Sequence, residues 1–445
     1  MMSKQSDYYQ NEFSAIWSEL PGYKTSWIDH LRLRAINGFT EQGFPHAKAE
    51  DWKYTDLSEV IEKPYSMVHS VPETISDKQI NPLIPQIGNA LTLVFVDGVF
   101  YQIAGDLELF SGVEIISLKE ALRQKSAQIK PYLDKTDKSL SAFETLNTAF
   151  MSDGVCLTVE PNAVLTHPIH IVHIGGTGMQ RASLNTRHLL VFGENAKATV
   201  IETYLSAGKN DDYLTNNVMR TVLKEGAELE WTRVQNEAES AFHFAVNRID
   251  LHRNAHLRCH LFAFGARQSR ENVKVNFEGQ NSFCELNTLL MINGERQADI
   301  YTDMEHKIAN SGSEENLKSV MDEKGKAVFR GRIKVYEDAQ HTDARLNNSN
   351  LLLSETAEVN TMPQLEIFAD DVSCNHGSST GQLDDDQLFY LTSRGIDPTS
   401  AQGLLIYAFA HSVVEAIQSE AVAAYINQLL MSKLPTEKYV KELVK

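Results

Sequence analysis

The chain has 445 residues, 41 basic and 59 acidic, for a formal charge of −18. An apolar fraction of 42% and a charged fraction of 22% exclude a wholly disordered chain. The acidic balance argues against a nucleic-acid sleeve or a binder of anionic membranes, since both need a basic face.

Met1 to Gln10 is polar and has no apolar core, so it does not read as a signal peptide. Phe13, Ile16, Trp17 and Leu20 follow the spacing of one helix face, and Trp27, Ile28, Leu31 and Ala35 resume it after the Pro21-Gly22 break. The first ~90 residues therefore read as mostly helical. Asn81 to Pro85 reads as a linker, and Leu91 to Phe100 as a strand and turn. Ser117 to Tyr132 and Ser141 to Met151 read as helices.

From about Val155 to Val372 short alternating apolar runs replace helical periodicity, among them Ile169 to Ile174, Ala198 to Tyr204 and Val328 to Val335. A turn residue followed by Ala recurs at Asn195-Ala196, Gly226-Ala227, Asn254-Ala255, Gly325-Lys326-Ala327 and Thr356-Ala357. The gap after Ala255 leaves room for further rungs. A strand-rich repeat near 30 residues points to a β-solenoid, with an ordinary sandwich as the alternative. Asp397-Pro398 opens a C-terminal helix, with Asp at N-cap and Pro at N1. The stretch from Pro398 to Leu430 carries more apolar positions than one contact face needs, so it packs on the solenoid end or meets a partner. Gly403 to Ile417, the most apolar window, is interrupted by His411, Ser412 and Glu415 and is shorter than the ~20 residues of a membrane span. A soluble cytoplasmic protein is expected, with a mostly helical region over 1–152, a β-helix core over 153–392 and a helical region over 393–445.

Chemistry-bearing motifs are sparse. The pairs Gly208-Lys209 and Gly325-Lys326 lack the upstream Gly and the following Ser or Thr of a phosphate-cradling loop, so the chain does not read as a P-loop ATPase. No G-x-S-x-G, H-E-x-x-H or C-x-x-C occurs. His252, His256 and His260 are too far apart in a strand to share a metal. The four cysteines, Cys156, Cys259, Cys284 and Cys374, are no disulfide framework and fit a reducing compartment. Cys259 and Cys284 could stack on neighbouring rungs, as metal ligands or as core filler. The sharpest segment is Cys374-Asn375-His376-Gly377. Thiolate and imidazole suit iron, and in a strand Cys374 and His376 point to one face. Two such ligands are too few for a closed site, so others must come from elsewhere.

Several segments together resemble the SufB/SufD family of iron–sulfur cluster assembly proteins. They are Pro363 to Val372 running into His376-Gly377, Gln387 to Leu391, Ser393 to Ile396, Gly325 to Gly331, Gln340 to Asp343, and Glu50-Asp51-Trp52-Lys53-Tyr54-Thr55. The resemblance implies a mainly β fold, a right-handed parallel β-helix flanked by helical N- and C-terminal regions. It implies a non-catalytic subunit of the SufBCD scaffold, paired with a SufB-like paralogue through the β-helix. It places the docking surface for a SufC-like ATPase at about Asp397 to Leu434, with Pro398, Leu404, Leu405, Tyr407 and Phe409 as candidate contacts. It assigns His376, with Cys374 beside it, to a transient cluster or iron site at the SufB interface, with no cofactor bound stably by the chain alone and a role in iron acquisition. In SufB an essential cysteine follows the Gln-His-Thr motif; here Arg345 to Asn350 contains none, which favours the branch that pairs with SufB over SufB itself. An exposed β-helix edge also makes a homodimer plausible when the paralogue is absent. The competing readings are a polysaccharide lyase or esterase on a β-helix, and a metal-independent scaffold with a structural histidine.

Overall fold

A computed structural model of the chain describes residues 2–46, 48–70, 75–134, 141–178, 180–208 and 211–435. Met1, Lys209 and Asn210 of the first Gly-Lys pair, and residues 436–445 of the C-terminal region lie outside the described residues.

The core is a parallel β-solenoid of about eight turns. Each turn lays one strand on each of two sheets. Sheet A ascends through Tyr213–Leu223, Phe242–Leu251, Gln268–Phe277, Gln297–His306 and Lys326–Val335 to Glu358–Ile367. Sheet B ascends through Lys197–Ser206, Glu228–Asn236, His256–Ala263, Phe283–Ile292, Gly312–Met321 and Asp343–Leu352 to Ser373–Gly381. Alternation along each strand sends one set of side chains inward, where Leu, Ile, Phe, Val and Ala form a continuous core.

The turn–Ala repeat is two interleaved corners. Asn195, Gly226 and Asn254 sit at one corner with positive φ, each followed by a buried alanine at the start of a sheet B strand. The ladder continues through Asn281, Asn310 and His341, also left-handed, where Ser282, Ser311 and Thr342 replace the alanine. Asn tolerates this conformation better than most non-glycine residues, which keeps the corner regular. Ala327 and Ala357 belong to sheet A, where Ala327 pairs with Ala298 and Ala357 precedes Glu358, which pairs with Lys326. The apparent gap after Ala255 comes from this change of corner.

The N-terminal region combines helices with the strand and turn expected over Leu91 to Phe100. Helices Met2–Ile16 and Ser26–Gln42 form, and the second buries Ile28, Leu31 and Ala35 as their spacing requires. Gly43, with φ +66, ends it, and Pro45, Pro64, Pro82 and Pro85 confine the rest to short turns. Leu91–Val96 and Val99–Ala104 form an antiparallel hairpin, and the first strand pairs in parallel with Ile169–Gly175. The hairpin and Val113–Ser117, antiparallel on Val155–Val159, close the first end of the solenoid. Arg32 ties the helices together, donating to the carbonyls of Ala149 and Met151 at 2.8 and 2.9 Å.

The C-terminal helices pack on the outer face of sheet B, not on the solenoid end. Pro398–Val414 is capped by Asp397, whose Oδ1 accepts from Ser400 N at 3.0 Å. With Glu420–Ser432 it buries Ile406, Val413, Val422, Ile426 and Leu430 against Ile201, Val234, Phe262, Leu289, Val320 and Leu351. That stripe on the sheet accounts for the apolar excess of the helices. Among the described residues no helix is long and apolar enough to cross a membrane.

Candidate functional site at the open end of the solenoid

The last turn has no successor. Glu358–Ile367 and Ser373–Gly381 are the edge strands of their sheets, so each leaves one row of backbone groups without a strand partner. Their inward side chains face the open end, where Thr361 Oγ1 meets Ser378 Oγ at 3.3 Å across the mouth.

Register decides which side chains stand there. His376 pairs with Leu346 and Cys374 with Ala344, and both partners are fully buried core residues. Cys374 and His376 therefore share the inward face, as strand parity requires, yet His376 is exposed and Cys374 half-buried because no described residue covers the turn. Burial pushes the Cys374 thiol up; the Ala344 backbone hydrogen bond opposes this, and Asp343 adds to it. Soft nitrogen and sulfur donors at an uncovered end offer a partial ligand set for iron that a facing surface can complete. Exposed Ile367 ends the first edge strand and Phe368 follows it, while Phe389 and Tyr390 follow the second; Phe389 is 73% exposed.

Below the mouth two inward columns run down sheet B. One descends from Cys374 through Ala344, Ser313 and Cys284 to Leu257. The other descends from His376 through Leu346, Glu315 and Leu286 to Cys259. Cys259 and Cys284 are fully buried, and burial raises both thiols, so they behave as core filler. Gly331 on sheet A lies opposite Leu346; a Cβ there would push against the ends of the Leu346 and Phe329 side chains, so the glycine lets them pack close.

The remaining candidate residues lie elsewhere on the solenoid, except His341, which stands at a corner of its last turns. His256 and His260 face outward from sheet B and share no site; His260 lies 3.6 Å from Glu230. His341 is left-handed at the corner and pairs with Asp371 at 3.0 Å. The Glu50–Thr55 motif is a clasp on the outside of sheet A. The Arg270 guanidinium is sandwiched between Trp52 and Tyr301, at 3.7 and 3.6 Å from the ring centres, and Gln297 donates to Tyr54 O at 2.8 Å. The adjoining groove of about 550 Å³ holds Arg248, Arg270, Arg330 and Arg332, each already engaged by a carboxylate or a carbonyl.

Of the five candidate docking residues, Pro398 is exposed, Leu405 is half-buried and outside the core cluster, and Leu404 and Phe409 pack partly against it. Lys318 holds Phe409, donating to its carbonyl at 2.9 Å with the ammonium 4.6 Å from the ring centre. Tyr407 faces inward, 7% exposed and bonded to Asn427, so it offers no surface to a partner.

A second constellation lies deep in the solenoid, and its members are too scattered along the chain for motif reading to find. His173, His188 and Glu202 converge, with each imidazole Nε2 3.7 Å from Glu202 Oε1. Arg233 bridges Glu202 and Glu271 at 2.8 Å each, and His243 bonds Glu237 at 2.7 Å. Burial disfavours charge on Glu202, but Arg233 outweighs it and holds the carboxylate at about 2. His188 Nδ1 accepts from Val155 N–H at 2.9 Å, so the ring proton sits on Nε2 and points at Glu202. A ligating imidazole would donate its other N–H instead. The trio therefore fits a buried ion network and not a metal site.

Residues 174–409 match the family described as SUF system FeS cluster assembly, SufBD core domain, and residues 2–171 match the SufBD protein N-terminal region. The chain is 33% identical over 396 residues to the iron–sulfur cluster assembly protein SufD of Escherichia coli, covering 88% of this chain and 90% of that one. It is 29% identical over 415 residues to an iron–sulfur cluster assembly SufBD family protein of Synechocystis, covering 92% and 91%. It is 24% identical to the SufD of Bacillus subtilis, covering 92% and 94%.

Proposed function

The chain belongs to the SufBD family of iron–sulfur cluster assembly proteins, and from that premise we propose that it is the non-catalytic, cytoplasmic partner of a SufB-like subunit in a SufBCD-type scaffold. The observation that carries this reading is the uncovered last turn. A solenoid needs a cap at each end to cover its core and its strand edges. Among the described residues this chain caps only its first end, and helices Pro398–Val414 and Glu420–Ser432 pack on the side. A second solenoid docked edge to edge would pair Glu358–Ile367 and Ser373–Gly381 and cover their inward faces.

Such docking would place His376 and Cys374 at the seam. There they would contribute to a nascent cluster or to iron acquisition, with the remaining ligands from the partner and no cofactor held by the chain alone. The same edge would support a homodimer in the partner's absence. A SufC-like ATPase would dock on the outward side of the C-terminal helices, with Pro398 and Leu405 the best exposed of the candidate contacts. In the assembled complex, His376→Ala is expected to lower cluster formation while complex formation stays intact. A normal cluster yield from that variant would overturn the assignment.

A further inference from the structure

One inward position near the mouth breaks the chemistry of its column. Glu315 stands between Leu286 and Leu346 in register and is fully buried among core side chains. Both of its carboxyl oxygens lack a hydrogen-bond partner. The Thr302 hydroxyl faces it from sheet A without closing a hydrogen bond. The other titratable groups acting on it are the Asp303 carboxylate and, on the preceding rung, the Cys284 thiol. Among the described residues no lysine, arginine or histidine pairs with it. An aliphatic residue would fill the position without an orphaned polar group.

Glu315 shares the column of His376, two rungs below it with Leu346 between. At ~4.8 Å per rung the separation is about 10 Å. We propose that Glu315 is the charge-compensating acid of the mouth, neutral while the mouth is empty and ionised when a divalent cation is held at His376. The inference rests on the cluster-site reading of His376 and makes Glu315 a positioning residue that acts on the cation through space. The step balances: the cation enters with its two charges, the carboxylic O–H breaks, the proton goes to solvent, and the carboxylate remains.

Magnitudes support the coupling. Burial, with Asp303 adding to it and Thr302 opposing, pushes Glu315 up to about 8. At an effective dielectric near 20, a doubly charged cation about 10 Å away favours the carboxylate by roughly 250-fold. That shift carries Glu315 from mostly protonated to mostly ionised at neutral pH. By linkage, cation affinity gains roughly 20-fold at pH 7 and about 60-fold at pH 7.5, but less than twofold at pH 5.5.

The test uses the full chain, alone and with the paired solenoid subunit, titrated with ferrous ion without oxygen. Glu315→Gln is expected to weaken binding by those factors, lose most of the rise between pH 5.5 and 7.5, and release about one proton fewer per ion at pH 7. Independently of affinity, the infrared carbonyl band of a protonated carboxylic acid should be present in the ion-free chain at pH 7. It should vanish on adding ferrous ion and be missing in Glu315→Gln. If Glu315→Gln does not fold, Glu315→Leu, which continues the aliphatic column, serves in its place. Ferrous binding that ignores His376→Ala overturns both the site and this role. Binding that depends on His376 but keeps its pH slope and proton count in Glu315→Gln overturns the role of Glu315 alone.

Discussion

Replacing Glu315 by Leu should stabilise the ion-free chain by an amount that depends on pH. The folded state holds the Glu315 proton up to about pH 8, against an ordinary value of 4.5. Folded chains therefore bind more protons than unfolded ones between those limits, and stability falls as pH rises through the window. Below pH 4.5 the acid is neutral in both states and its pH-dependent cost vanishes, leaving only that of an unpartnered polar group. At pH 7 the window is 2.5 units wide; at 1.36 kcal/mol per unit the cost is roughly 3 kcal/mol, and above pH 8 it levels off between about 4 and 5 kcal/mol. Leu matches the residues above and below it, so its packing adds a pH-independent gain. Denaturant midpoints of wild type and Glu315→Leu should differ by a small constant amount at pH 5 and separate progressively toward pH 8.5. A separation that is the same at pH 5 and pH 8.5 would refute the reasoning, because the carboxyl would then not titrate within the window.

Two further outcomes are expected. His243 is buried, yet Glu237 outweighs the burial and raises it to about 9, with Glu271 reinforcing. Its contribution should be complete below pH 6.5 and lost as pH rises through about 9, roughly 3 kcal/mol in all, and His243→Gln should abolish that slope in alkaline denaturation series. Glu230 accepts from the backbone N–H groups of Gln418 and Ser419, at 2.5 and 3.1 Å, and so anchors the entry to helix Glu420–Ser432 on the sheet. Glu230→Ala should cost about 1–2 kcal/mol locally, seen as faster amide exchange in that helix while the strands beneath keep their protection.

The solenoid was legible because a strand's period of two and a left-handed corner leave marks at each rung. Alternating runs and the Asn/Gly–Ala pairs both trace to single residues. What blurred the count was that Ala327 and Ala357 sit on the other sheet, a distinction that exists only once register is known. Parity placed Cys374 and His376 on one face, but whether that face is core or solvent depends on there being no further turn. The deep ion network was invisible for a related reason. His173, His188, Glu202 and Arg233 come from different strands and meet only by stacking. Glu315 looks like an ordinary strand glutamate, and only its inward register between Leu286 and Leu346 makes it unusual. The C-terminal helices showed their apolar excess, but the stripe from Ile201 to Leu351 that absorbs it is spread over 150 residues of strand.

The departures from good packing are not spread evenly. Deep in the solenoid, the Glu202–Arg233–Glu271 ion pairs and the His243–Glu237 bond engage charges that would otherwise be costly. Near the mouth the opposite holds: a carboxyl without a partner, a histidine in an inward register but exposed, a half-buried thiol and two unpaired strand edges lie within the last three turns. A scaffold selected for stability alone would fill Glu315 and His376 with aliphatic residues and cap the end. Unpartnered polar atoms also occur deeper in the solenoid, at His173, His188 and His243 among others, but the mouth combines an unpaired buried carboxyl with an uncovered end, and such local rules broken together mark a place where stability has been given up for function. If that end is the proposed docking face, the cost at Glu315 and the missing cap have one explanation: a second solenoid and its cation would relieve both.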